Sequence, residues 1–114
     1  LGLGTAELCV RYRRRFLIAM AGQSTRIVGF DAGILRITRQ AFQSVNADDV
    51  HKSIFRHLTG VWGDLCDDDW RANDSALRNG GRLLSSYVDR TGVRFWIITE
   101  WDRSATTILL PQDY

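Results

Sequence analysis

Proline is nearly absent from this chain of 114 residues: the single one, Pro111, lies close to the C-terminus. A Pro-rich linker is thereby excluded, and no internal repeat or low-complexity stretch divides the sequence, which reads as one domain over residues 1–114. Cysteine is scarce too. Cys9 and Cys66 lie far apart without metal-ligand spacing, so two buried free thiols are expected, with a lone disulfide as the alternative. Met20 is the only methionine; if translation starts there, residues 1–19 are an extension of the native protein. No apolar run approaches the length of a membrane span. Phe16–Ala21, preceded by Arg13, Arg14 and Arg15, imitates the start of a signal peptide, but its apolar part is too short, so a cytoplasmic location without membrane attachment is expected. Also missing are a serine nucleophile elbow, a Walker loop and paired Cys/His spacing for zinc. No cofactor is expected, and a metal would have only His51, His57 and carboxylates to hold it.

The residues that are there describe a globular protein. The hydrophobic share is 45% and the aromatic share 11%, enough to bury roughly two-thirds of the surface that an unfolded chain of this size exposes. Net charge is +2, with 15 Lys and Arg against 13 Asp and Glu. The basic residues are almost all arginine and concentrate in the first half. Acids outnumber bases in the second. This leaves two readings open, a solvated mixed surface and an arginine-rich phosphate contact.

Thr5 can cap a helix from Ala6 to about Met20, with Leu8, Tyr12, Phe16 and Met20 on one face; a strand through Leu8, Val10 and Tyr12 is the alternative. Residues 26–30 and 34–38 are β-rich and flank Asp31-Ala32-Gly33, which predicts a hairpin or bent strand. Thr38 then caps a short helix from Arg39 to Val45, and Asn46 a second one through Leu58. Gly60–Leu65 reads as a loop. A third helix follows from Asp67 to Arg78, with its acids in the first turn. Strands over 82–88, 92–101 and 104–110, joined by tight turns, form a β-meander. In the middle strand Phe95, Ile97 and Thr99 face one way and Trp96 and Ile98 the other, so both faces need cover, from the N-terminal helix or a second subunit. The fold class is therefore α+β, helices packed on a three- to five-stranded antiparallel sheet with a C-terminal β-meander.

A group of residues carries a resemblance: Arg56-His57-Leu58, Gly60, Trp62-Gly63-Asp64-Leu65, Asn73, Ala76-Leu77, Gly81–Tyr87, Trp96–Glu100 and Asp102-Arg103-Ser104-Ala105-Thr106-Thr107 through Leu109-Leu110-Pro111. From about Phe30 onward the chain resembles a family of small uncharacterised proteins of bacterial plasmids and integron gene cassettes. The resemblance implies a family-like core over 30–114, with 1–29 as an extension that is either non-native or dimerising. Members are often labelled type I restriction modification subunits. That label does not suit these residues, because a DNA-amine methyltransferase needs a Gly-rich cofactor loop and an Asn/Asp-Pro-Pro-aromatic motif. The resemblance implies a mobile-element setting and no activity.

Three constellations could carry chemistry. His57 and Asp64, around Gly60, Trp62 and Gly63, form the minimum for general acid–base work; the alternative is a packed histidine and a loop-ordering aspartate. Glu100, Asp102 and Arg103, with neighbouring hydroxyls, crowd one hairpin tip, either as a recognition site or as a well-capped turn. Together His57, Trp62, Asp64, Glu100, Asp102 and Arg103 make the candidate binding site. They are expected to meet in space, with Arg103 pairing with Asp64 or stacking on Trp62. Arg11, Arg13, Arg14 and Arg15 are the candidate nucleic-acid contacts. The leading expectation is a non-enzymatic protein-interaction module, acting as a homodimer with an unidentified protein partner. A nucleic-acid-binding protein comes second, and a small ligand binder or enzyme using His57, Asp64, Glu100 and Arg103 third.

Overall fold

The computed structural model describes residues 6–11 and 29–114, the former through their backbone. Its elements are strand β1 (Ala6–Arg11), strand β2 (Ile34–Thr38), helix α1 (Arg39–Ser44), helix α2 (Ala47–Leu58), helix α3 (Asp67–Asn79), strands β3 (Leu83–Val88), β4 (Arg94–Thr99) and β5 (Ala105–Leu109), and a 3-10 turn (Pro111–Asp113). The class is α+β, with one five-stranded sheet ordered β1-β2-β5-β4-β3.

The meander expected at the C-terminus forms, with β3, β4 and β5 adjacent and antiparallel. Two expectations are corrected. The sheet is mixed, because β2 runs parallel to β5, pairing Ile34 with Ala105 and Ile37 with Ile108. Three helices and two further strands separate β2 from β5, which frees the chain from the short antiparallel connections assumed for the whole sheet. Residues 6–11 are a strand rather than the start of a helix, antiparallel to β2. The alternation of Leu8 and Val10 with polar neighbours outweighs their neighbours' helix propensity once β2 offers an edge. The helix assigned to 12–20 lies outside the described residues. Of the strand expected over 26–30, residues 29 and 30 are not in a strand, and 26–28 lie outside the described residues.

Helix starts are where the polar caps predict them. The Thr38 hydroxyl accepts from Ala41 N at 3.2 Å. Asn46 Oδ1 accepts from Asp48 N and Asp49 N, at 3.0 and 3.2 Å. Asp67, Asp68 and Asp69 occupy the first turn of α3, where the helix dipole favours them. The inward stripe of α2, Val50, Ile54 and Leu58, joins Leu35, Ile37, Leu83, Phe95, Ile97 and Ile108 in the core. The opposite face of the sheet is buried as well: Ile98 and Leu109 are inaccessible to solvent. There Tyr114 packs edge-on against Trp96, and Arg82 lies over the Tyr114 ring.

The outer edge of β3 is closed in an unusual way. The Asn73 side-chain amide donates to Leu84 O and accepts from Leu84 N, imitating a strand neighbour. Two residues on, Ser86 N donates to Trp62 O at 3.1 Å and Asp64 N donates to Ser86 O at 2.7 Å. The Trp62–Asp64 segment is thus a short parallel extension of the sheet at Gly63.

Asp89 ties the β3–β4 turn to the start of α2. One carboxylate oxygen accepts from Asn46 N at 2.8 Å, the other from Thr91 N, the Thr91 hydroxyl and Val93 N. Burial raises its pKa, but these hydrogen bonds outweigh burial and hold the carboxyl well below the usual carboxylate range. Arg90 adds a fork onto Asp49. Because both oxygens of Asp89 serve as acceptors, Asp89→Asn turns an amide donor towards an N–H. The variant should lose about 2 kcal/mol in urea melts at neutral pH, and an unchanged midpoint would refute the clamp.

Candidate functional site

His57, on the last turn of α2, is completely buried, as are Ser85, Thr99 and Thr106. Their hydrogen bonds form one chain whose direction follows from its far end. Thr106 Oγ1 donates to the Ala32 carbonyl at 2.8 Å. Its oxygen therefore accepts the Thr99 hydroxyl proton, at 2.7 Å. With that proton committed, Thr99 accepts from His57 Nε2, at 2.8 Å. Nε2 carries the ring proton, so Nδ1 accepts from the Ser85 hydroxyl. The neutral ring satisfies every member of the chain; a second ring proton would point a donor at Ser85. Burial, reinforced by the nearby Arg103 charge, lowers the His57 pKa to about 3.

Aromatic rings enclose this imidazole. Trp62 and Phe30 meet it edge-on, with centroids 5.5 and 5.6 Å away. Trp62 is fixed by its indole N–H, which donates to Asp74 at 2.9 Å. Tyr87 donates to Val61 O at 2.6 Å, and its burial pushes its pKa up to about 12. A histidine hydrogen-bonded to a serine has the atoms of a nucleophile–base pair, but both are sealed from solvent, and acid–base catalysis needs a substrate within reach.

The hairpin tip supplies a clamp. Arg103 has a left-handed backbone, φ 62°, which turns its guanidinium inward. It donates to the carbonyls of Gly81, Glu100, Trp101 and Ala76, at 2.6, 3.2, 3.2 and 3.1 Å. Ala76 belongs to the last turns of α3, where carbonyls lack helical donors. The guanidinium also lies 5.6 Å from the Phe30 ring centroid. Phe30 thus links Arg103 to His57, and His57 to Trp62, so these three share one neighbourhood.

The other candidate residues are elsewhere. Asp64 does not pair with Arg103; its carboxylate is 3.7 Å from Arg94, because Asp64 N is held on Ser86 O at the sheet edge. Arg103 stacks on Phe30, not on Trp62. The exposed Asp102 accepts from Ser104 N at 3.0 Å, a turn-stabilising bond. Glu100 contributes its backbone to the turn, with Glu100 N donating to Ala105 O at 3.0 Å. Arg11 lies in β1 with its side chain outside the description, and Arg13, Arg14 and Arg15 lie outside the described residues. Among the arginines that are described, Arg71, Arg90 and Arg94 pair with Asp68, Asp49 and Asp64. Cys66 is a free thiol but exposed, contrary to the buried position expected for it. No cluster of three His, Cys, Asp or Glu side chains that could hold a metal is found among the described residues, nor is any described helix long and apolar enough to cross a membrane.

Arg103→Gly isolates the role of the guanidinium. Glycine accepts the left-handed backbone at no steric cost, yet the four carbonyls lose their donor. The variant should still be about 3 kcal/mol less stable than wild type, read from the urea midpoint. Stability equal to wild type would show the clamp to be ornamental.

One concave feature went unnoticed in the sequence. An open apolar groove of about 190 Å³ lies between α1, α2, β2 and β5, and its walls include Leu35, Ile37, Val45, Val50, Ile54 and Ile108. Phe42 borders it with 57% of its surface exposed. Ser85 and Phe30 were missed too, although Ser85, a polar residue at an inward strand position, advertised a buried partner.

The chain matches no protein-family model, no curated protein and no solved structure.

Proposed function

We propose that this protein is a non-enzymatic interaction module, an accessory protein of a mobile genetic element, that holds an apolar side chain of a protein partner in the α1–α2 groove. The observation that carries the reading is the contrast between two sites. The reactive groups around His57 are sealed and mutually satisfied, whereas the groove is open, apolar and bordered by an exposed phenylalanine. Exposed aromatic rings beside an apolar recess are what partner surfaces present. The mobile-element setting rests on the resemblance of residues 30–114.

The experiment is a titration of the Phe42→Ser variant with an anilinonaphthalene sulfonate probe, followed by backbone amide shifts. Leu35, Ile37, Val50 and Ile54 should shift, and adding Ala47→Trp, which fills the groove, should abolish the response. Shifts elsewhere, or none, would sink the proposal.

A further inference from the structure

We infer that Asn79, the last residue of α3, is a self-modification site: it deamidates through a cyclic imide formed with the Gly80 nitrogen, and the product lengthens the chain inside the Arg103 clamp. Of the asparagines Asn46, Asn73 and Asn79, only Asn79 precedes a glycine. Glycine has no side chain to shield its nitrogen, which can therefore approach the side-chain carbonyl carbon before it. Asn79 and Gly80 are both exposed. Nothing beyond its chain neighbours lies within 4 Å of a Cβ built on Gly80, which leaves room for the ring and for water. The attacking nitrogen is also unengaged. At the ends of α1 and α2 the capping N–H donates back into the helix, from Val45 to Ala41 O and from Thr59 to Phe55 O. Among the described residues no carbonyl accepts from Gly80 N. Its helical acceptor would be Ala76 O, and that carbonyl instead accepts from the Arg103 guanidinium at 3.1 Å.

The other two asparagines are protected. Asn73 is buried, with both ends of its amide bonded to Leu84. Asn46 Oδ1 is held by the first turn of α2, and Ala47 follows it. Asn79 has one exposed side-chain bond, from Nδ2 to the Ser75 hydroxyl at 3.2 Å. Losing it slows the reaction by no more than about tenfold. In the reaction Gly80 N bonds to Asn79 Cγ, the Cγ–Nδ2 bond breaks, and Nδ2 leaves as ammonia with the proton from Gly80 N. One water then opens the imide, with no electrons exchanged. Addition at Cγ gives aspartate. Addition at the main-chain carbonyl gives isoaspartate, which joins Gly80 through Cγ. Arg103 donates to carbonyls on both sides of this residue, Ala76 O and Gly81 O. Isoaspartate adds a methylene to the main chain between them, which displaces one from the guanidinium that holds both. Either product also sets a carboxylate at the C-terminal end of α3, where the helix dipole disfavours it.

Ageing the full chain in warm, mildly alkaline buffer, folded and in urea, tests this, with digests read by mass spectrometry. The peptide carrying Asn79 should gain the mass of an amide-to-acid exchange, mostly as isoaspartate, at a rate within about tenfold of that in urea. Asn46 and Asn73 should stay amides in the folded chain, and Asn79→Gln should remove the gain. The aged protein should have a lower urea midpoint than fresh protein and than Asn79→Asp, which carries the charge without the added methylene. An unchanged mass in the folded protein, or a gain on Asn46 or Asn73 as fast as on Asn79, overturns the inference. So does an aged midpoint equal to that of Asn79→Asp, which would show the clamp to be indifferent to the lengthened chain.

Discussion

Gly63→Ala should cost about 4 kcal/mol of stability, among the largest effects of any single methyl group in this chain. Gly63 has φ 77°, where an L side chain is strained. A Cβ there would lie 2.1 Å from Ser86 O and 2.8 Å from the Tyr87 ring. Ser86 O is backbone in a paired strand, so it cannot swing aside. Relief requires lifting the Trp62–Asp64 segment off β3, which breaks its bonds to Ser86 N and O and unseats the indole that walls His57. Gly92 is the control. Its φ is 92°, but nothing lies within 4 Å of a Cβ built on it, so Gly92→Ala should cost only about 1 kcal/mol. Urea midpoints of the two variants give the comparison, and equal losses would show that the close approach to Ser86 carries no weight.

His57→Phe should cost about 3 kcal/mol even though the ring is similar in size and the pocket is aromatic. It strands the Ser85 hydroxyl without an acceptor and removes the donor to Thr99. Adding Ser85→Ala should recover part of the loss, because removing both partners costs less than orphaning one. The same residue sets an acid response. The His57 pKa is lower in the folded state, about 3, than in the unfolded chain, about 6.5. Between those values the unfolded chain binds the extra proton. Stability should therefore be full above pH 6.5 and fall on acidification, by up to about 1.4 kcal/mol per pH unit. Asp89, whose carboxyl is also held low, joins only below the ordinary carboxylate range near pH 4. The stretch from pH 6.5 to 4 should thus belong largely to His57, and His57→Phe should flatten it. An unchanged slope in urea melts at pH 5 and 7 would refute the neutral-histidine assignment.

Local chemistry made much of this fold legible. Thr38 and Asn46 announced helix starts, and the turns at 89–92 and 101–104 announced the meander. The strand alternation of Phe95, Ile97 and Thr99 placed the core face. Pairing between distant segments was harder to read. Nothing near Ile34–Thr38 states that it runs parallel to Ala105–Leu109, since parallel partners need no turn between them. Residues 6–11 carried both a helical and an alternating pattern, and only the available edge of β2 decides between them. The neighbourhood of His57, Trp62 and Arg103 was partly legible from its glycines and clustered polar groups. Its internal logic was not, because Phe30 and Ser85 enter from segments far off in sequence. The groove escaped altogether. Phe42 and Ile54 look like ordinary helix residues until two helices and two strands leave space between them.

The parallel pairing of β2 with β5 governs how the chain can be made. β5 lies between β2 and the other two strands of the meander in the finished sheet, yet it is synthesised long after β2. On the ribosome β2 can meet β1 at once, but its other edge waits until almost all of the intervening chain has emerged. Closing so long a loop is entropically slow. Meanwhile the nascent protein carries a hydrophobic two-stranded ribbon with an unpaired backbone edge, the kind of species that chaperones capture. Expression yield should therefore respond more to substitutions in β5, which ends that exposure, than to equally buried ones in α3.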